Sequence, residues 1–239
     1  MKKIMTIITL GLMIMACGKQ ESIKKIGITQ IVEHPALDGA RDGFLKALED
    51  AGYKDGENLK IEYQNAQGDQ AVAQSIAESF VSDSKDLILA IATPTAQAAY
   101  NATKEIPVLI TAVTDPIQAG LAKSLEKSET NVTGTSDATP IDKQFALIRE
   151  LLPESKKVGI VYNTSELNSE VQVAQAKVIA QKYGLELVIK GVTSVNDLAQ
   201  VLDSLLKEVD VLYTPTDNLI VSATPLVVKK SMENKITLI

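Results

Sequence analysis

Two threonines flank a proline at Thr93-Pro94-Thr95, between an apolar run and an alanine-rich segment that predicts a helix over 95–103. Thr93 or Thr95 is expected to cap this helix, and proline is tolerated in a first helical turn because its missing N–H costs nothing there. The remaining free N–H groups and the helix dipole favour an anion. The stretch has no lysine, arginine or glycine-rich loop, so a carboxylate fits it better than a phosphate. Helix capping alone is the competing interpretation.

Three aspartates also follow predicted strands. Asp115, Asp137 and Asp217 could each cap the next helix, or hold an ammonium group through charge-assisted hydrogen bonds. A corner that favours a carboxylate, combined with these acids, predicts a zwitterionic ligand. His34 comes just before the first predicted helix, where it could line a cleft or have no role.

These residues can lie close together only in a fold that brings the ends of several strands to one place. Continuous apolar runs such as Leu87–Ala92 and Val108–Val113 alternate with segments of helical periodicity such as Gln70–Ser82. This alternation predicts an α/β protein in which helices cover both faces of parallel sheets, and ligands bind beyond the carboxyl ends of the strands. We also expect a short helix over 117–125 and one continuous helix over 218–233.

The same plan occurs twice along the chain. The run that starts at Lys24-Lys25-Ile26-Gly27-Ile28 is echoed from Lys156, and the Asp-initiated run ending in Thr-Pro-Thr occurs at 86–95 and again at 210–216. We therefore predict two similar Rossmann-like lobes, residues 23–137 and 138–239, that face each other across a cleft. The last residues, 236–239, resemble a buried parallel strand with nothing after it, so we expect a chain that is truncated at its C-terminus.

The first residues differ in character from the rest. Lys2 and Lys3 precede a short apolar core, which is typical of a secretory signal peptide over residues 1–16. The stretch Ile14-Met15-Ala16-Cys17 is similar to the cleavage box of bacterial lipoproteins, and Cys17 is the single cysteine of the chain. We predict lipidation of Cys17, a polar tether over 17–22, and attachment to the extracytoplasmic face of the cell membrane. A plain signal peptide is the alternative.

The composition argues against several classes of function. A net charge of −6 without a basic stripe disfavours nucleic acid as a partner. One cysteine and one histidine exclude an internal disulfide framework and a zinc site built from these residues. Since His34 has no evident serine partner and no nucleophile elbow is present, we expect no catalytic residues, no cofactor and no metal. The lack of tryptophan weakens the case for a sugar ligand.

Several segments resemble the ABC transporter substrate-binding lipoprotein family typified by the tryptophan-import binding protein of Gram-positive bacteria. They include KIGITQIVEHPALD, DLILAIATPTAQA, TAVTDPIQAGL, NVTGTSDATP, KKVGIVYNTSELNS and LYTPTDNLI. The resemblance covers residues 24–239, and it implies the type 1 periplasmic-binding-protein fold and an aromatic or related amino acid as ligand. It also implies a set of residues on ligand-lining loops: Gln30, Thr93, Thr95, Thr114, Asp137, Asn163, Asp217 and Asn218.

The expected function is that of a lipid-anchored, monomeric receptor without bond chemistry. It would capture a small amino acid, such as tryptophan or phenylalanine, between two lobes and deliver it to the permease and ATPase subunits of an ABC importer. A ligand-sensing subunit for a signalling receptor and an extracytoplasmic enzyme on a flavodoxin-like frame are the alternatives. The residues that choose the ligand's side chain depend on how the lobes pack.

Overall fold

The computed structural model describes residues 23–239, so the predicted leader, the tether and Cys17 lie outside the described residues. The first half of this range forms a five-stranded parallel sheet in the order β2-β1-β3-β4-β5. Its strands are β1 (Lys24–Gln30), β2 (Leu59–Asn65), β3 (Leu87–Ile91), β4 (Val108–Val113) and β5 (Val132–Ser136). The helices that connect the first four strands are α1 (Pro35–Asp50), α2 (Gln70–Ser82) and α3 (Thr93–Ala102).

The second half forms a four-stranded parallel sheet in the order β7-β6-β8-β9. Its strands are β6 (Lys157–Asn163), β7 (Glu186–Val192), β8 (Val211–Tyr213) and β9 (Thr237–Leu238). Its helices are α4 (Ile141–Leu151), α5 (Leu167–Lys182), α6 (Val195–Leu205), α7 (Asn218–Ser222) and α8 (Thr224–Asn234). We call the parts built on the two sheets lobe 1 and lobe 2. The described chain passes from one to the other through residues 137–140.

Both lobes are α/β units with parallel strands and buried apolar cores, as the alternating pattern predicts. Most predicted elements occur within one or two residues of the expected bounds, because the continuous apolar runs are buried on both faces of each sheet. Within residues 23–239, no helix is both long enough and apolar enough to cross a membrane.

The internal repeat is also present in the structure. β1 and β6 occupy equivalent positions, each beside the strand that follows it in the chain and the strand after that. An aspartate just before the third strand of each lobe binds the backbone at the start of the first. Asp86 Oδ2 accepts from Lys25 N at 2.8 Å, and Asp210 Oδ2 accepts from Lys156 N and Lys157 N at 2.7 and 2.8 Å.

The predicted helix over 117–125 is wrong. Asp115 Oδ1 accepts from the backbone N–H groups of Ile117 and Gln118 at 3.0 and 2.9 Å, which starts a single turn. Gly120 then takes a positive φ of 73°, and Leu121 N donates back to the Pro116 carbonyl at 2.9 Å. These contacts reverse the chain, so the turn does not propagate into a helix.

The predicted continuous helix over 218–233 is also wrong, because the chain forms α7 and α8 with a break at Ala223. Pro225 stands in the first turn of α8, where it is well tolerated. In the interior of a longer helix the same proline would remove a backbone hydrogen bond and clash with the preceding turn. The break therefore places Pro225 where a helix can accept it.

Candidate ligand-binding site

The carboxyl ends of the two sheets face each other and enclose a crevice. Cavity A, of about 310 Å³, lies between the lobes and is lined by His34, Ala36, Leu37, Ala40, Thr111, Ala112 and Asp137 of lobe 1 and by Thr216, Asp217, Asn218 and Val221 of lobe 2. Cavity B, of about 320 Å³, shares Asn218 and extends past Glu166 towards the start of α2. The Gln70 side-chain amide donates across the crevice to the Ser165 carbonyl, and α3 packs against α5.

The corner at the start of α3 is not capped by a threonine, contrary to expectation. Ala92 holds the capping position with φ 83°, a strained backbone conformation for a residue with a β-carbon. Thr95 Oγ1 donates back to the Ile91 and Ala92 carbonyls at 2.7 and 3.0 Å. Thr93 Oγ1 is buried and has no hydrogen-bond partner among residues 23–239. Of the two threonines, Thr93 therefore has the free hydroxyl, whereas the Thr95 hydroxyl is hydrogen-bonded to backbone carbonyls.

This corner lies next to cavity A, although neither threonine lines the cavity. Ala92 N donates to the Thr111 carbonyl at 3.0 Å, and Thr111 is part of the cavity wall. Ala112, the next residue of the wall, also has a positive φ, of 55°. Ala92, directly after β3, and Ala112, on β4, are thus strained residues at or next to the cavity wall, and such strain is common at functional sites.

Asp137 presents a carboxylate to cavity A. Its Oδ1 atom is buried and has no hydrogen-bond partner within the described chain. Burial raises the pKa of Asp137, and the neighbouring Thr114 hydroxyl offsets part of that rise. A buried carboxylate oxygen without a partner is costly, and a cation beside it would remove the cost. Asp137 Oδ1 is therefore free to accept a hydrogen bond from a cationic group in cavity A.

Asp115 has a local role instead. One oxygen accepts from the N–H groups that start the turn after β4, and the other accepts from the Gln118 side chain at 3.0 Å. It lines neither cavity A nor cavity B. Of the three aspartates that follow strands, this one only shapes its loop.

Asp217 is buried and fully hydrogen-bonded within lobe 2. Its Oδ2 atom accepts from Asn163 N at 2.6 Å and from Ser169 Oγ at 2.7 Å, and its Oδ1 atom accepts from Ile220 N at 2.9 Å. Burial, followed by the nearby charge of Glu166, raises the pKa of Asp217 to about 6. The side chain caps α7 and ties it to β6 and α5, so it supports the floor of cavity A.

Glu166 is a site residue that the sequence analysis did not single out. It is 4% exposed, and its two oxygens accept from three side-chain amides: Asn163 at 3.0 Å, Asn168 at 3.1 Å and Asn218 at 2.5 Å. No lysine or arginine of the described chain forms an ion pair with Glu166 or Asp217. The run of amide and hydroxyl residues between β6 and α5 was the available indication of such a cluster.

Gln30 is held inside lobe 1. Its side-chain nitrogen donates to the Val32 carbonyl at 2.9 Å and to Asp38 Oδ1 at 2.8 Å, and its oxygen accepts from Arg41 at 3.5 Å. Gln30 is fully buried and lines neither cavity A nor cavity B. In this arrangement it fixes the approach of α1 to the sheet.

Two parallel-sheet lobes, joined by a short segment and enclosing a cavity at their strand ends, form the type 1 periplasmic-binding-protein fold. A family model described as "ABC transporter substrate binding protein" matches residues 25–239. The chain belongs to this family of solute-binding proteins, which confirms the prediction that it is not an enzyme.

A curated relative supports this assignment. The tyrosine-binding protein of Clostridioides difficile (strain R20291) is 58% identical over 216 residues, which are 90% of this chain and 63% of that protein. The present chain therefore spans just under two thirds of the length of that relative.

Two solved structures differ in how well they superpose. An ABC domain in complex with L-Trp from Streptococcus pneumonia has 40% identity and a TM-score of 0.86, over 91% of this chain and 73% of that one. The ligand-free, open structure of a substrate-binding protein with adhesive properties from Clostridium difficile has 57% identity but a TM-score of 0.62, over 90% and 73%. The structure with the higher identity thus has the lower TM-score.

Proposed function

We propose that this protein is the solute receptor of an ABC importer and that it binds an aromatic amino acid between its two lobes. Thr93 Oγ1 and Asp137 Oδ1 carry the proposal, because both are buried and both lack a partner within residues 23–239. They follow β3 and β5, which are two strand spacings apart, or about 10 Å. That separation leaves room for one amino-acid head group, with its carboxylate at the start of α3 and its ammonium at Asp137.

The wall of cavity A supports an aromatic side chain. Ala36, Leu37 and Ala40 of α1 form an apolar face, and Ala112 and Val221 extend it. The volume of about 310 Å³ lies at the lower end of the range that ligand pockets occupy. Relatives that bind tyrosine and L-Trp at 58% and 40% identity agree with this ligand class.

Titration calorimetry of the purified protein with the twenty amino acids tests the proposal. We expect saturable one-to-one binding of tyrosine or tryptophan, and much weaker binding of small aliphatic amino acids. Binding confined to aliphatic or acidic amino acids, or no heat with any of the twenty, would contradict it.

The two threonines at the start of α3 offer a matched pair of variants. We expect Thr93→Val to weaken amino-acid binding by about 5- to 20-fold, because it removes a free hydroxyl from the carboxylate end of the site. Thr95→Val should leave affinity close to that of the wild type and lower the free energy of unfolding by about 1 kcal/mol, since its hydroxyl serves only backbone carbonyls. Calorimetry and chemical denaturation of both variants measure these effects. Equal loss of affinity in the two variants would contradict the assignment.

We further propose that the protein is held at the extracytoplasmic face of the membrane by lipid on Cys17 and presents its ligand to the permease and ATPase subunits. The basic and apolar leader with its single cysteine supports anchoring, and family membership supports the transporter context. Replacing Cys17 by alanine should move the protein from the membrane fraction to the soluble fraction. Unchanged membrane attachment of that variant would contradict the anchoring proposal.

A further inference from the structure

His34 lies between β1 and α1, lines cavity A and has an unpartnered ring nitrogen. The side chain is more than nine-tenths buried, and Nδ1 has no hydrogen-bond partner among residues 23–239. It stands at the capping position of α1 but makes no side-chain cap. The proposed head-group contacts at Thr93 and Asp137 do not use this nitrogen. His34 Nδ1 is therefore a polar atom at the cavity wall to which the proposed head-group contacts assign no partner.

Two observations favour one form of the imidazole. Burial lowers the pKa of His34, which favours the neutral ring with one N–H donor and one bare acceptor. Nδ1 is buried without a partner, whereas Nε2 is not among the buried, unpartnered atoms of residues 23–239, so we place the proton on Nε2. Nδ1 is then a bare acceptor, and its partner must be a hydrogen-bond donor.

The position of His34 in the sheet indicates which part of a ligand it meets. It follows β1, whereas Asp137 follows β5, and the two strands are three spacings apart, or about 14 Å. An amino acid whose ammonium is held by Asp137 would reach His34 with the far end of its side chain. The apolar residues Ala36, Leu37 and Ala40 line the cavity wall beside His34.

We propose that His34 is a specificity-determining residue that selects aromatic amino acids whose ring carries a hydrogen-bond donor. The phenol O–H of tyrosine and the indole N–H of tryptophan satisfy Nδ1, whereas the ring of phenylalanine leaves it buried and unpaired. This inference rests on the proposed amino-acid site and narrows the ligand class. A site built to bond a substrate donor rejects the analogue that lacks it, so we expect phenylalanine to bind about 10- to 100-fold more weakly than tyrosine.

Wild-type protein and a series of ring analogues give the first test by calorimetry. L-tyrosine and 4-amino-L-phenylalanine, which both carry a donor, should bind with similar affinity. L-phenylalanine, which has no polar ring group, and O-methyl-L-tyrosine, which keeps the oxygen but has no donor, should both bind about 10-fold or more weakly. Equal affinity for tyrosine and phenylalanine would overturn the inference and leave the amino-acid site intact. Failure of every amino acid to bind would instead refute the proposed function.

Two variants give the second test. His34→Gln keeps a donor close to the Nε2 position but has no atom at the Nδ1 position, so tyrosine affinity should fall to that of phenylalanine. His34→Asn places an amide oxygen close to the Nδ1 position and should retain part of the preference. A parallel loss of affinity for both ligands in His34→Gln, or an unchanged preference for tyrosine, would overturn the inference. Thermal denaturation shows whether each variant is folded. If a variant is not folded, the titrations of the wild-type protein with the ring analogues decide the question.

Discussion

The Asp137→Asn variant should bind the proposed amino acid about 100-fold or more weakly than the wild type. The substitution keeps the size of the side chain but removes the negative charge beside the ligand ammonium. Truncating one partner of a buried, hydrogen-bonded charge pair costs about 2–5 kcal/mol, much of it from the charge that is left unpaired. Asp137 has a buried, unpartnered oxygen, so no other contact of the described chain replaces the lost one. Calorimetry with L-tyrosine measures the effect.

Asp115→Asn is the matched control for this prediction. It changes the same residue type at the end of the neighbouring strand, but its carboxylate only caps a turn that lies outside both cavities. We expect its ligand affinity to equal that of the wild type. Normal affinity in Asp137→Asn, or an equal loss in the two variants, would show that the ammonium is held elsewhere.

The Asp217→Ala variant should lose about 3 kcal/mol of the free energy of unfolding. The change removes the acceptor for three donors, namely Asn163 N, Ser169 Oγ and Ile220 N, at a buried position. Each donor left unpaired inside the protein costs about 1–3 kcal/mol, and relief of the repulsion between Asp217 and Glu166 offsets part of the sum. Chemical denaturation followed by circular dichroism measures the loss.

Asp69→Ala serves as the control, because Asp69 also caps a helix. Its carboxylate accepts from Ala71 N and Val72 N at 2.7 and 3.1 Å, but at an exposed position. Loss of such a cap costs about 1 kcal/mol. A similar loss in the two variants would mean that the contacts from Asp217 to β6 and α5 contribute little to stability.

The pH dependence of stability gives a second check on Asp217. Its pKa rises from 3.8 to about 6 on folding, so the folded state holds the proton more tightly than the unfolded chain. As the pH increases from about 4 to about 6, the wild type should therefore lose free energy of unfolding relative to Asp217→Asn, whose side chain does not titrate. If the free energy of unfolding of the wild type instead rises relative to that of Asp217→Asn over this range, the raised pKa of Asp217 is contradicted.

Much of the fold was predictable, because the spacing of apolar residues along the chain indicates which segments are buried. Runs such as Leu87–Ala92 are apolar throughout, which predicts strands covered on both faces, and the carboxyl ends of parallel strands meet at one edge. That rule alone brings Thr93 and Asp137 to the same edge of the lobe 1 sheet. The repeated motifs at Lys24 and Lys156 predicted a second lobe with the same plan.

The chemistry of individual atoms could not be predicted in the same way. Three aspartates follow strands, but only the course of the next few residues decides that Asp115 and Asp217 bind backbone N–H groups and that Asp137 does not. Thr93 and Thr95 differ only in which hydroxyl can reach a carbonyl of the preceding turn. Glu166 accepts from two nearby amides, Asn163 and Asn168, and also from Asn218, which is 52 residues away in the chain and which no local pattern connects to it.

The location of Asp137 has a consequence for how ligand and motion are linked. This residue belongs to residues 137–140, through which the described chain leaves β5 and enters α4, and it also faces cavity A. We therefore expect a substitution in 138–140 that favours an open arrangement of the lobes to weaken ligand affinity by the factor by which it lowers the population of the form that binds.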